Sequence, residues 1–79
     1  MIRAHIRFTT TKDALNFIAA LNTLDTYVLE DDTGKHRVDA RSLLGALYFS
    51  TEHGDHMYLV NETNDGHFPG GIDQYRVIE

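Results

Sequence analysis

The sequence predicts an α+β fold, a two-layer open-faced sandwich in which an antiparallel sheet carries two helices on one face. Three observations carry this expectation. Segments of period two alternate with segments of helical spacing, in the order β-α-β-β-α-β plus a terminal strand. A turn signal, Asp31-Asp32-Thr33-Gly34, separates the second strand from the third, and the chain of 79 residues leaves room for a single domain over residues 1–79. A domain of this size buries only about 60–65% of its unfolded surface, which argues against a deep catalytic cavity.

The elements follow in order. Ile2, Ala4, Ile6 and Phe8 alternate with Arg3, His5, Arg7 and Thr9, so a half-exposed first strand is expected. Thr9-Thr10-Thr11 supplies candidate caps, and Thr10 with Asp13 resembles a capping box. Ala14, Phe17, Ile18 and Leu21 recur at helical spacing, which predicts a first helix from about Thr11 to Asn22. Asp25 to Glu30 is rich in β-branched and aromatic types and reads as the second strand. At the following turn Gly34 can take positive φ. Lys35 to Asp39 forms the return strand, short and guarded by charge.

Ala40 to Tyr48 then brings Leu43, Leu44, Leu47 and Tyr48 together on a short second helix, with Asp39 or Ser42 as the cap. Glu52-His53-Gly54-Asp55 reads as a loop, and His56 to Asn61 as the most apolar strand, placed centrally. Asn61 to Gly71 is linker-like, punctuated by Asn64-Asp65-Gly66 and Pro69-Gly70-Gly71, and Ile72 to Ile78 is expected as a final strand.

Composition narrows the function. Twelve acidic residues against seven Lys and Arg give a net charge of −5, which disfavours nucleic acid as a partner. With no Cys, neither disulfides nor thiolate chemistry nor Cys-ligated zinc is open to the chain. No apolar run approaches the roughly 20 residues needed to span a bilayer, and the opening Met1-Ile2-Arg3-Ala4-His5 is not a signal-peptide block. The expectation is a cytoplasmic protein with no membrane association.

Over Gly34-Lys35-His36-Arg37-Val38-Asp39-Ala40-Arg41-Ser42-Leu43-Leu44-Gly45-Ala46-Leu47 the chain resembles the histidine-containing phosphocarrier family of the sugar phosphotransferase system. The likeness lies in that family's serine region, where a hairpin strand delivers a Val-Asn/Asp-Ala-Lys/Arg-Ser segment into a short helix. Element order agrees over residues 1–61, while 62–79 diverge. The resemblance implies a phosphocarrier-like scaffold with Ser42 at the family's regulatory serine, a kinase or transcription regulator as partner, and no cofactor.

Three departures bear on function. Thr9-Thr10-Thr11-Lys12-Asp13 stands where the family places its phosphorylatable histidine segment, so carrier chemistry is not expected. The hairpin into Ser42 is a residue longer than the family pattern, which a bulge would absorb. A Gly-rich loop and strand-like tail replace the long C-terminal helix, so an under-covered sheet face is expected. Because exposing a large apolar side chain forgoes about 1.5–3 kcal/mol, this implies dimerisation or docking, by exchange or addition of the terminal strand.

The expected function is therefore a non-enzymatic, protein-binding regulatory domain. Ser42 is the candidate phospho-acceptor, since a helix N-terminus favours phosphate and Arg41 lies beside it. Arg41, Leu43, Leu47 and Tyr48 are the candidate partner contacts. The plainer readings are that Ser42 only caps a helix and that the leucines only pack. The alternatives are a small metal-binding protein or enzyme using His53, Asp55 and His56, with His67 nearby, or a purely structural oligomerisation module. His5 and His36 fall on polar sides of strands, Asp31-Asp32 reads as a solvated hairpin tip, and Arg3, Arg7 and Lys12 form a small basic strip.

Overall fold

A computed structural model describes residues 2–63 and 67–78. The elements are β1 (Arg3–Ile6), α1 (Thr11–Ala20), β2 (Tyr27–Glu30), β3 (Arg37–Asp39), α2 (Leu43–His53), β4 (Met57–Asn61) and a 3-10 helix over Gly70–Tyr75. The fold is α+β, with an open antiparallel sheet of four strands in the order β1-β4-β2-β3. The most apolar strand, β4, is central, as its composition predicts.

Alternation sorts the two faces. Ala4 and Ile6 of β1, Tyr27 and Leu29 of β2, and Met57 and Leu59 of β4 are buried in the core with Phe17 of α1 and Ala46 and Phe49 of α2. Arg3, Val60, Val28 and Asp39 line up across the opposite face, and His5, Tyr58, Glu30 and Arg37 form the next row.

Both helices start at side-chain caps. Thr10 Oγ1 accepts from Asp13 N at 3.1 Å, and Asp13 Oδ2 accepts in return from the Thr9 amide at 2.9 Å and the Thr9 hydroxyl at 2.7 Å. Those hydrogen bonds from Thr9, with further ones from Thr10, lower the Asp13 pKa. Helix α1 ends two residues before the expected Asn22, and β1 stops at Ile6, leaving Phe8 outside the strand. Its ring instead meets Phe17 edge-on at 5.0 Å.

Two corrections change how the core is closed. Glu52 and His53 belong to α2, which runs to eleven residues and ends at Gly54, so the second helix is longer than its apolar cluster suggests. The tail is not a strand over Ile72 to Ile78 but a 3-10 helix followed by one antiparallel bridge, Arg76 to Ile6. Arg7 N donates to Tyr75 O and Val77 N to His5 O, each at 2.9 Å, so the tail lies along the outer edge of β1 within its own chain.

The 3-10 helix buries Ile72 fully and sets Tyr75 edge-on to Phe17 at 5.9 Å. Gly71 permits the approach: a Cβ there would stand 3.1 Å from the Ala20 Cβ. The expectation of an under-covered sheet face is thus overturned, and with it the ground for dimerising through the terminal strand. The predicted Asn64-Asp65-Gly66 turn lies outside the described residues.

Candidate functional site

The outer face and N-terminal end of α2 carry Ser42, Leu43, Leu47 and Tyr48 of the sequence-predicted site residues. After β3 the chain turns so that Ser42 N donates to Asp39 O at 3.1 Å and Arg41 N to Asp39 Oδ1 at 2.9 Å. That turn sets Ser42 at the N-cap, where Oγ accepts from Gly45 N at 3.2 Å. The hydroxyl is exposed, at the positive end of the helix dipole.

Core and surface positions of α2 follow from its period. Ala46 and Phe49 face the sheet, and each residue advances by roughly 100° around the axis. Leu44, two positions from Ala46, therefore points to solvent and is 80% exposed, with Tyr48 one turn later at 65%. Leu43 and Leu47 are half-buried flanks of this stripe. The Tyr48 pKa is raised, first by its hydrogen bond to Glu52 and then by the Glu52 charge. Leu44 is the residue that reading by sequence undervalued. Its signal is the phase set by Ala46 and Phe49, which becomes legible once the helix is known to reach His53.

Arg41 does not pair with Ser42. Its guanidinium donates to Asn22 O and lies over the Tyr27 ring, 5.4 Å from the centroid. It thereby borders a second feature, a cleft of about 360 Å³ lined by Asn22, Asp25, Tyr27, His67, Phe68 and Pro69. Asn61 Nδ2 bridges Asp25 Oδ2 at 3.0 Å and His67 O at 2.8 Å, which ties the loop after α1 to the end of β4. Burial first, and the Asp25 charge second, push the Tyr27 phenol pKa up. These groups serve one another as a buried polar tie.

His53, Asp55 and His56 do not converge. His56 Nδ1 lies 3.5 Å from Asp32 Oδ2, Asp55 Oδ1 lies 3.4 Å from Arg7 Nε, and His53 packs on Phe49 with ring centroids 4.2 Å apart. Among the described residues no three His, Asp or Glu side chains gather at metal-binding distance. The basic strip is also divided, since Arg3 pairs with Glu30 and Arg7 with Asp55, while Lys12 is exposed on α1. His5, half-buried, stacks on Tyr58 at 4.7 Å and hydrogen-bonds to the Asp55 carbonyl. The hairpin-tip reading of Asp31 needs correction, since Asp31 is buried, its Oδ1 accepting from the Thr33 hydroxyl at 2.8 Å.

No helix among the described residues is long and apolar enough to cross a membrane. Comparison with protein-family models, with curated proteins and with solved structures found no match to the chain.

Proposed function

We propose that this chain is a non-catalytic docking domain resembling the histidine-containing phosphocarrier proteins, working through the outer face of α2 with Ser42 as a phosphorylation switch. One observation carries the reading. Leu44 and Tyr48 stand out one turn apart beside half-buried Leu43 and Leu47, on a helix whose exposed cap is a serine hydroxyl. Large apolar side chains placed together on an exposed helix face mark an interaction surface more often than single ones do.

Charge selects the partner. Glu52 beside Tyr48 and a net charge of −5 favour a protein that offers apolar side chains within a basic rim. Phosphate on Ser42 adds negative charge at the edge of this stripe. The amides and dipole of α2 stabilise it, since Arg41 is engaged at Asn22.

Two measurements test the two parts. With a serine kinase of the phosphocarrier type and ATP, mass spectrometry is expected to find phosphate on Ser42, and an unlabelled Ser42 removes the switch. A photo-reactive benzoylphenylalanine in place of Tyr48 is expected to cross-link a basic protein whose purified form binds at least tenfold more weakly to Leu44→Glu. Equal binding by Leu44→Glu removes the docking face. Self-association in sedimentation, abolished by Leu44→Glu, would instead make a second copy the occupant.

A further inference from the structure

The groove between β3 and α2 holds a pair of imidazoles that neither the docking face nor the cap uses. His36 enters from the hairpin and His53 from the last turn of α2, with ring centroids 5.5 Å apart and ring planes inclined by 32°. We propose that His36 and His53 form a two-imidazole chelate for a late first-row divalent cation, such as zinc or nickel, with water completing the coordination.

The separation suits this chemistry. A metal–nitrogen bond of about 2.0–2.1 Å places each ring centroid roughly 3 Å from the ion, so two imidazoles at a tetrahedral angle have centroids roughly 5 Å apart. Imidazole nitrogen is a good ligand for these ions.

Both rings are carried by fixed backbone. The hairpin turn is held by Thr33 Oγ1, which donates to Asp31 Oδ1 at 2.8 Å and accepts from Lys35 N at 3.2 Å. Asp31 N donates to the His36 carbonyl at 3.1 Å, which fixes His36 at the head of β3. On the other side Phe49 packs against the His53 ring at 4.2 Å. Lys35, Arg37, Glu52 and Tyr48 also line the groove. The Arg37 charge is taken by Glu30 and Glu62 at 3.2 and 2.6 Å, and Glu52 accepts a hydrogen bond from Tyr48. The groove, about 460 Å³ and open to solvent, leaves space for the water ligands.

Bound there, the ion would join strand β3 to the C-terminal end of α2, two elements that the Ser42 turn connects in sequence at the other end of the helix. Because it binds the folded arrangement, it would raise Tm.

Zinc chloride titrated into the full chain tests this, with the imidazole signals of all five histidines followed by NMR and Tm followed by circular dichroism. The expected result is saturable one-to-one binding that moves His36 and His53 and raises Tm by several degrees, reversed by EDTA. His36→Gln and His53→Gln are each expected to weaken binding at least tenfold. His36 is exposed, so its substitution leaves the fold intact and keeps the test decisive. Binding unchanged in His36→Gln, shifts centred on His5, His56 or His67, or no saturation below millimolar zinc would each overturn the proposal.

Discussion

The two faces of the sheet are closed in different ways. Under the helices, Ala4, Ile6, Leu29, Met57 and Leu59 are sealed by α1, α2 and the 3-10 helix, and aromatic rings do the filling: Phe8, Phe17 and Tyr75 meet edge-on. On the opposite face no helix of the described residues packs, yet Val60 is 0% exposed. Its cross-strand neighbours are Arg3 and Val28, and along its own strand Tyr58 carries Arg3 over its ring, 4.3 Å from the centroid. Glu30 lies between Arg3 at 3.4 Å and Arg37 at 3.2 Å, and Arg37 continues to Glu62. Hydrogen bonding to Glu62, with the nearby Glu62 and Glu30 charges, raises the Arg37 pKa. One face excludes water with rings, the other with the stems of long charged side chains.

The covered face should be the more fragile. Tyr75→Ala empties a site where two aromatic rings meet and removes what the tail contributes to the core, and a large-to-small change of this kind costs about 3–5 kcal/mol. Urea unfolding is expected to show a loss of that order. A loss below about 1 kcal/mol would mean the tail merely rests on β1.

Glu30→Ala probes the other face. It leaves Arg3 without its carboxylate and Arg37 with Glu62 alone, around a side chain only 11% exposed. Breaking a part-buried ion pair at one partner is expected to cost about 1–3 kcal/mol, less than Tyr75→Ala because Arg3 retains the Tyr58 ring and the carbonyls of Asp31 and Asp32. If the two losses were equal, the faces would not differ in the way described.

The contrast explains what was legible. Period-two alternation revealed β1, β-branched and aromatic content revealed β2, and apolarity revealed β4. The Thr10 cap marked where α1 begins, whereas at α2 both Asp39 and Ser42 stood as caps and the structure selects Ser42. The tail escaped because Ile72 and Tyr75 are three apart, the spacing of a 3-10 turn, while Tyr75-Arg76-Val77 read alone has strand-like alternation. The length of α2 escaped because Glu52-His53-Gly54-Asp55 reads as loop, whereas Phe49 packs into the core and Gly54 N donates to Ser50 O, which carries the helix on to His53. Leu44 was placed on that helix, but its outward phase follows only from Ala46 and Phe49 facing the sheet. The separation of His53 from His56 was invisible for the same reason, since the first closes a helix and the second precedes a strand.

The layer above the covered face depends on its caps. Ser42→Ala removes the acceptor for Gly45 N and is expected to lower stability by about 1 kcal/mol, whereas Ser42→Asp should keep most of it. At α1 the corresponding test is pH. Hydrogen bonds from Thr9 and Thr10 lower the Asp13 pKa, so its contribution is present above the ordinary aspartate range, near ~4, and is lost as pH falls through the lower folded value. Asp31 behaves alike: burial works upward, but hydrogen bonds from Thr33 and from the His36 and Gly34 backbone outweigh it. Asp13→Asn should flatten the acid limb of stability against pH relative to the parent chain, and an unchanged limb would assign that limb to other carboxylates.

The smallest effect is expected where the functional reading is strongest. Leu44 is 80% exposed, so Leu44→Ser removes almost no buried apolar area and should change stability by no more than about 0.5 kcal/mol. Ala46, two residues on and fully buried, supplies the control: a larger side chain there must displace core neighbours and should cost about 1–3 kcal/mol. If Leu44→Ser destabilised the chain as much as an Ala46→Leu substitution, Leu44 would be packing against its own fold. The stripe over Leu44 and Tyr48 would then be part of the domain's own closure, and the docking face would have to be sought elsewhere. A neutral Leu44→Ser, in contrast, separates folding from binding at this position, and any loss of partner affinity in the same variant can then be read as contact.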